Sequence, residues 1–274
     1  MIFNLLLKNN MLKKLFKGYD SHIIELIDKL CPLKRTTKIS TRFCLENICK
    51  VLTQGISWKC LCPNICHFTT IYKRFVLWSK NNVFSIVWTN MIELYKSKQP
   101  PMHFRTIFID STMVKNHYGI DCTGYNHFDR NRKATKVSII CDSNKIPLAA
   151  TYYKANKHDS TTIENTLDAI KCKIRKNNRF KTVLIGDKGY IIKKERREEL
   201  RNIYKVELIT PLRKNQKITK QKKPSDLMKD RYVIENVFCR LDKFKRIRYR
   251  EDRHLTQFIS FHELAIVIMI IEHL

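Results

Sequence analysis

Three acidic residues stand where the chain can aim them. Asp110 closes the apolar run 105–110, Asp187 closes the apolar run 182–187, and Glu235 follows Arg231 by four residues in a helical pattern. Two or three carboxylate ligands with positions left open to water suit Mg²⁺ or Mn²⁺. Two such ions could activate a water or a 3′-hydroxyl and steady the leaving oxygen of a phosphodiester. His158 and Asp159 fit a helix-capping loop and a site-supporting role equally well. Lys188, directly after Asp187, reads equally as a phosphate contact and as a solvated lysine. Cys60, Cys62, Cys66 and His67 lack the spacing of a standard zinc site, and zinc is not expected there.

The elements that must position these residues fall into two parts. Residues 1–100 carry helical apolar spacing. Ile23, Ile24, Leu26, Ile27 and Leu30 form one face, and Phe43, Ile48, Val51 and Leu52 form another, stopped by Gly55. Thr69 or Thr70 is positioned to cap a third helix, which carries Lys73 and Arg74. A fourth runs from about Val83 to Tyr95, and Pro100-Pro101 marks the domain boundary. Paired helices in a basic chain fit a helix-turn-helix-like module or an ordinary helical bundle, and spacing alone does not separate them.

Beyond Pro101 the pattern changes to strands. After the run 105–110, the runs 136–142 and 146–153 flank a turn at 143–145, and Ser160 is placed to cap a helix bearing Ile163, Leu167, Ile170 and Ile174. A strand at 182–187, a helix at 193–202, a strand at 205–210, a basic loop, a helix around Glu235 and a last helix from about Leu255 to Ile271 complete the chain. The order βββαβαβα predicts an α/β fold, a mixed sheet with flanking helices, preceded by a small all-α domain. It matches the ribonuclease H-like fold, in which the first and fourth strands are neighbours, so Asp110 and Asp187 would sit side by side. Glu235 shares a helix stripe with Arg231, Phe238 and Asp242, apart from the core stripe of Val233, Val237, Leu241 and Phe244.

Composition narrows the partner. The 274 residues include 53 Lys+Arg against 25 Asp+Glu, a formal net charge of +28, with 43% hydrophobic residues. A core of that size excludes global disorder, and a charge of that sign makes nucleic acid the commonest partner. The longest apolar stretch, Leu264 to Ile271, is too short to span a membrane, and the N-terminus lacks the features of a secretory signal. A cytoplasmic, nucleoid-associated protein with no transmembrane segment is expected. Ten cysteines are too sparse for a disulfide scaffold and read as thiols. The stretch 213–231 holds eight basic and two acidic residues, and beside a phosphodiester-cutting site it favours DNA contact.

An ordered set of short segments then carries a family resemblance. The set begins with Gly55-Ile-Ser-Trp58, Pro63, residues 70–75 and Trp78, then Ile109-Asp-Ser-Thr112 with Val114, Lys115 and His117. Thr135-Lys136, Asp142, Pro147-Leu148, His158-Asp-Ser160 and Asp187-Lys-Gly-Tyr190 follow in register, then Pro211, Arg213, Asn215, residues 231–238 and residues 244–247. Together they resemble the DDE transposases of bacterial insertion sequences, specifically the insertion sequence family five group, from about residue 30 to the end.

The resemblance implies that residues 1–100 bind DNA and residues 101–274 form the catalytic domain. In it Asp110, Asp187 and Glu235 hold two Mg²⁺ or Mn²⁺ ions, cut at the ends of a mobile element and join the released 3′-hydroxyl to target DNA. It implies double-stranded DNA as partner and a homodimer or larger assembly on it. Lys73, Arg74, Lys115, His117, Lys188, Arg231 and Lys243 are the expected DNA contacts, with His158 and Asp159 as possible site support. Met228 stands where the family often has Tyr, Asp242 stands where it often has a basic residue, and residues 130–133 lack its glycines. The other readings are a ribonuclease H-like nuclease that cuts without joining, and a decayed or domesticated copy that only binds DNA. The complete carboxylate set speaks against the last, and the basic helical N-terminal part speaks for recognition of DNA ends.

Overall fold

The structure, a computed structural model, describes residues 10–32, 39–62, 64–127, 129–172, 182–211 and 229–274. Pro63, Ile174, Arg213, Asn215, Met228 and most of the basic stretch 213–231 lie outside the described residues. The chain divides into two compact units. One draws its described residues from Met1–Lys98, Tyr118–Asp121 and Leu241–Leu274, the other from Gln99–His117 and Cys122–Arg240. The division therefore differs from a single cut at Pro100, because the end of the chain joins the first hundred residues.

The first unit is helical: α1 (Asn10–Phe16), α2 (Asp20–Leu30), α3 (Thr41–Gln54), α4 (Phe68–Lys80), α5 (Val83–Lys98), α9 (Lys245–Arg248) and α10 (Leu255–Ile271). Ser40 caps α3 by accepting the Phe43 N–H at 3.2 Å. Gly55 ends it at φ +69°, a left-handed conformation that returns its N–H to Val51 O at 3.0 Å. The cap of α4 is His67, not Thr69 or Thr70: its ring nitrogen accepts the Thr69 N–H and pairs with the Thr69 hydroxyl at 2.8 Å. Cys62 Sγ donates to Asn47 Oδ1 at 2.8 Å.

α10 is buried on every side, and a helix that is apolar all round belongs at the centre of its unit. It packs against α4 and α5, with Phe261 stacked on Phe75 at 4.5 Å. Trp78 and Trp88 are core residues of this unit. The fully buried Arg250 lies over the Phe258 ring and donates to the carboxylate and carbonyl of Asp121, which fixes Tyr118–Asp121 to this unit. Among the described residues no helix is long and apolar enough to cross a membrane.

The second unit is built on a mixed sheet of β1 (Thr106–Lys115), β2 (Gly124–Asn126), β3 (Arg132–Asp142), β4 (Pro147–Lys154), β5 (Thr182–Ile185) and β6 (Val206–Ile209). β1 is central. It pairs antiparallel with β3, Asp110 opposite Ile139, and parallel with β5, Phe108 opposite Ile185. β5 continues parallel to β6, while β2 and β4 share the other edge of β3. The flanking helices are α6 (Ile163–Asp168), α7 (Lys194–Ile203) and α8 (Tyr232–Leu241).

Three local features depart from the sequence reading. β1 runs on to Lys115, because residues 111–115 find ladder partners in residues 134–138 of β3, so Asp110 lies mid-strand. β2 is an additional short strand opposite the start of β3. The helix expected from Ser160 is instead a 3₁₀ turn, Asp159–Thr161, followed by the short α6. His158 is its cap, and the Lys171 N–H turns away to Leu148 O at 3.0 Å.

Candidate active site

The second unit carries Asp110, Asp187, Arg231 and Asp159 around one end of the β1–β5 pair. Asp110 is placed by β1, and its side chain is 19% exposed. One carboxylate oxygen accepts the Ser111 N–H at 2.8 Å and the other lies 3.4 Å from Arg231 Nη2. Burial, then the negative charge of Asp187, pushes its carboxyl up to about 6, and the Ser111 N–H and Arg231 offset this in part. Asp187 stands two residues past β5 and caps the 3₁₀ turn Lys188–Tyr190, accepting the Gly189 N–H at 2.7 Å. Lys188 is exposed on that turn.

A third carboxylate borders the pair. Asp159 accepts from Ser111 Oγ at 2.6 Å and from Lys136 Nζ at 2.7 Å. Lys136 projects from β3 and is 3% exposed, so its ammonium is held inside by this one carboxylate. Gly189 separates the two aspartates: a Cβ there would lie 2.9 Å from Asp159 Oδ2 and 3.0 Å from Asp187 Oδ1. Beneath them the Tyr190 hydroxyl is buried without a hydrogen-bond partner of ordinary geometry. Burial and the charges of Asp159 and Asp110 push that phenol well above its ordinary value.

The expected residues are not all gathered. Asp110 and Asp187 are within electrostatic reach of each other, and Arg231 ties Asp110 to the start of α8. Glu235 lies one turn further along α8 and is exposed. Among the described residues no group of three His, Cys, Asp or Glu side chains converges closely enough for a metal ion. Still, two acidic oxygen donors whose mutual repulsion raises one pKa fit a hard divalent cation, which would relieve that repulsion.

Of the others, Lys115 pairs with Asp129 at 3.8 Å, and His117 is exposed just beyond β1. His158 caps its turn through Ser160, the arrangement His67 makes with Thr69. Lys73 is exposed on α4, whereas the Arg74 guanidinium turns inward to Ile39 O and Cys44 Sγ. Lys243 is exposed in the helical unit. Sequence reasoning gave no site role to Lys136, Ser111 or Tyr190. The available signal was a lysine inside a strand whose neighbours are all buried.

Known proteins resemble this chain in sequence. Residues 102–270, more than half of the chain, match the family described as the transposase DDE domain. Over 153 residues the chain is 33% identical to a Burkholderia cepacia protein described as a candidate transposase for insertion sequence element IS402. That stretch is 54% of this chain and 66% of the relative, so the chain spans just under two thirds of that protein's length. Among solved structures, the piggyBac transposase in a synaptic complex with hairpin DNA is similar at 12% identity, over 78% of this chain and 54% of that one. Its TM-score is 0.39. The match over residues 102–270 places this chain in the transposase DDE domain family.

Proposed function

We propose that the protein is a transposase of the insertion sequence family five group. It would bind the ends of a mobile element, cut the DNA and join the 3′ ends to target DNA on a ribonuclease H-like fold. The observation that carries this is Asp110 on the central strand, facing Asp187 beyond its parallel neighbour, with Arg231 at 3.4 Å. β1, flanked by antiparallel β3 and parallel β5 with β6 beyond, supports the fold.

Asp110, Asp187 and Glu235 would hold two Mg²⁺ or Mn²⁺ ions, which when bound supply the charge that activates the attacking oxygen and steadies the leaving one. Arg231 bridges Asp110 and α8 and so sets where Glu235 stands. Lys136 and Ser111 fix Asp159, and Gly189 leaves room for two carboxylates side by side. Lys73, on the exposed side of α4, is the groove contact in the helical unit, and Arg74 supports α4 from within. Lys115, His117, Lys188 and Arg231 are the DNA contacts of the second unit, and Lys243 is one of the helical unit. Double-stranded DNA in the cytoplasm is the partner, bound by a homodimer or larger assembly.

The test is incubation of the protein with Mg²⁺ and a duplex carrying the sequences that flank its own gene. Nicks at the element ends and joined products are expected, with both lost in Asp110→Asn, Asp187→Asn and Glu235→Gln by at least about a thousandfold. Glu207→Gln, on β6 in a partly exposed pair with Arg201, should still cut. Duplex binding with no nicks from the unsubstituted protein would leave the binding-only reading in place.

A further inference from the structure

Where β2 and the end of β4 share the edge of β3, the second unit opens into a hollow of about 390 Å³. Its lining includes Gly124, Tyr125, His127, Lys133, Lys154 and Asn156, and among the described residues no carboxylate. Tyr125 is 55% exposed, and its cross-strand partner Lys133 holds its ammonium 5.9 Å from the ring centroid. Lys154 and Asn156 are exposed and line the same hollow. Ala155 and Asn156 are set close by Gly124, where a Cβ would come within 2.9 Å of Asn156 Oδ1 and 3.0 Å of Ala155 N. His127 is fixed by Asn131 at 2.8 Å, on a tight turn whose Arg130 and Asn131 have φ 49° and 54°.

A broad aromatic ring left open in a cationic hollow gains little for folding. Such a ring is what an unstacked base needs, with ammonium groups placed for the phosphates on either side. The space is that of a single nucleotide, and the ring cannot reach a base face inside an intact duplex. The register sets the distance from the carboxylates. Asp110 pairs with Ile139 and Gly124 pairs with Ala134, five residues apart on β3, roughly 17 Å at about 3.4 Å per residue. At roughly 3.4 Å per nucleotide of one strand, that is about five nucleotides.

We propose that this hollow is a single-strand subsite. It takes an unpaired nucleotide about five positions from the phosphate at Asp110 and Asp187, stacks the base on Tyr125 and holds the backbone with Lys133 and Lys154. The proposal rests on the reading of those carboxylates as a DNA-cutting site. The test measures binding of the full chain to a fluorescent thymidine 20-mer and to a 20-base-pair duplex. Tyr125→Ala should weaken the single strand by about 5- to 100-fold and leave the duplex within about twofold, while Tyr125→Phe keeps both. Lys133→Gln with Lys154→Gln should lower the single-strand salt slope by about 1.4. Single-strand affinity within twofold of the unsubstituted protein in Tyr125→Ala overturns the subsite, as does an equal loss for strand and duplex. If the selective loss is seen but the protein never nicks DNA, the subsite stands and the transposase reading falls. If it nicks DNA and Tyr125→Ala binds normally, the subsite alone falls.

Discussion

Burial and the charge of Asp187 both disfavour an ionised Asp110, and this has a measurable cost. Its carboxyl is pushed up to about 6, whereas an unfolded aspartate ionises near its ordinary 3.8. Between those values the folded chain binds the extra proton. The cost of ionisation is therefore fully present above pH 6 and is relieved as pH falls toward 4. The raised value sets an upper limit of about 3 kcal/mol, and solvent screening of the 19% exposed side chain brings it to about 1–2 kcal/mol. Asp110→Asn should accordingly raise Tm by about 2–6 °C at pH 7.5, with the gain fading near pH 4, while abolishing cleavage. Thermal melts across that range check it; an unchanged Tm at pH 7.5 would show that Arg231 already neutralises the site. Lys136 presents the opposite case. Lys136→Met leaves Asp159 without its cation and should cost about 1–3 kcal/mol, below the roughly 3–5 kcal/mol typical of a fully buried pair because Asp159 is 28% exposed. Adding Asp159→Asn should recover part of that loss, which a double-mutant cycle in urea measures.

The 3₁₀ turn Lys188–Tyr190 joins these residues into one element. Gly189→Ala would drive a methyl between Asp187 and Asp159, so one carboxylate must move by several tenths of an ångström. Because catalytic geometry tolerates little displacement, cleavage should fall about 10- to 100-fold with Tm lowered by only a few degrees. Single-turnover nicking beside a melt separates the two effects. The sequence already carried much of this arrangement. Three runs of strand spacing and a strand–helix alternation suggest a mixed sheet; the expectation that the first and fourth strands are neighbours comes from the likeness of that order to the ribonuclease H-like fold, and β1 does pair with β5. The apolar helix Leu255–Ile271 was equally legible. What stayed hidden depends on partners distant in the chain. Residues 111–115 are mostly polar and fall outside the expected run 105–110, and pairing with β3 makes them strand. The Lys136–Asp159 pair spans 23 residues between a strand and a capping turn, which no periodicity marks. Ser160 reads as an N-cap, but His158, whose ring nitrogen accepts the Ser160 N–H, takes the role two residues earlier.

Across the molecule, the net charge of +28 overstates the cations offered to a partner. Arg250, Arg246 and Lys136 are drawn into Asp121, Asp252 and Asp159 respectively. The exposed remainder should still make duplex binding steeply salt-dependent. If six to ten phosphates are neutralised, affinity should drop by about 10³–10⁵ between 50 and 200 mM salt, which fluorescence anisotropy follows directly. The helical unit has a further consequence, because it is closed by the end of the chain. Trp88, Met91, Ile92 and Tyr95 are buried on α5, and α10 packs on that helix with Phe258, Phe261, Ala265 and Ile268 buried in turn. A fragment of residues 1–100 lacks α10 and Arg250, so it would expose an apolar helix face of several side chains at once. Each fully buried large apolar side chain contributes about 1.5–3 kcal/mol, and losing a few of them is comparable to the whole stability of an ordinary domain, about 5–15 kcal/mol. The fragment should therefore keep helical far-UV dichroism but lose a cooperative melt and bind the dye ANS. A single chain of residues 10–98 joined by a Gly/Ser linker to residues 241–274, with Arg250→Met because its partner Asp121 is absent, should melt cooperatively. If the fragment ending at residue 100 melts cooperatively by itself, α10 is dispensable to the unit that its burial pattern places at the centre.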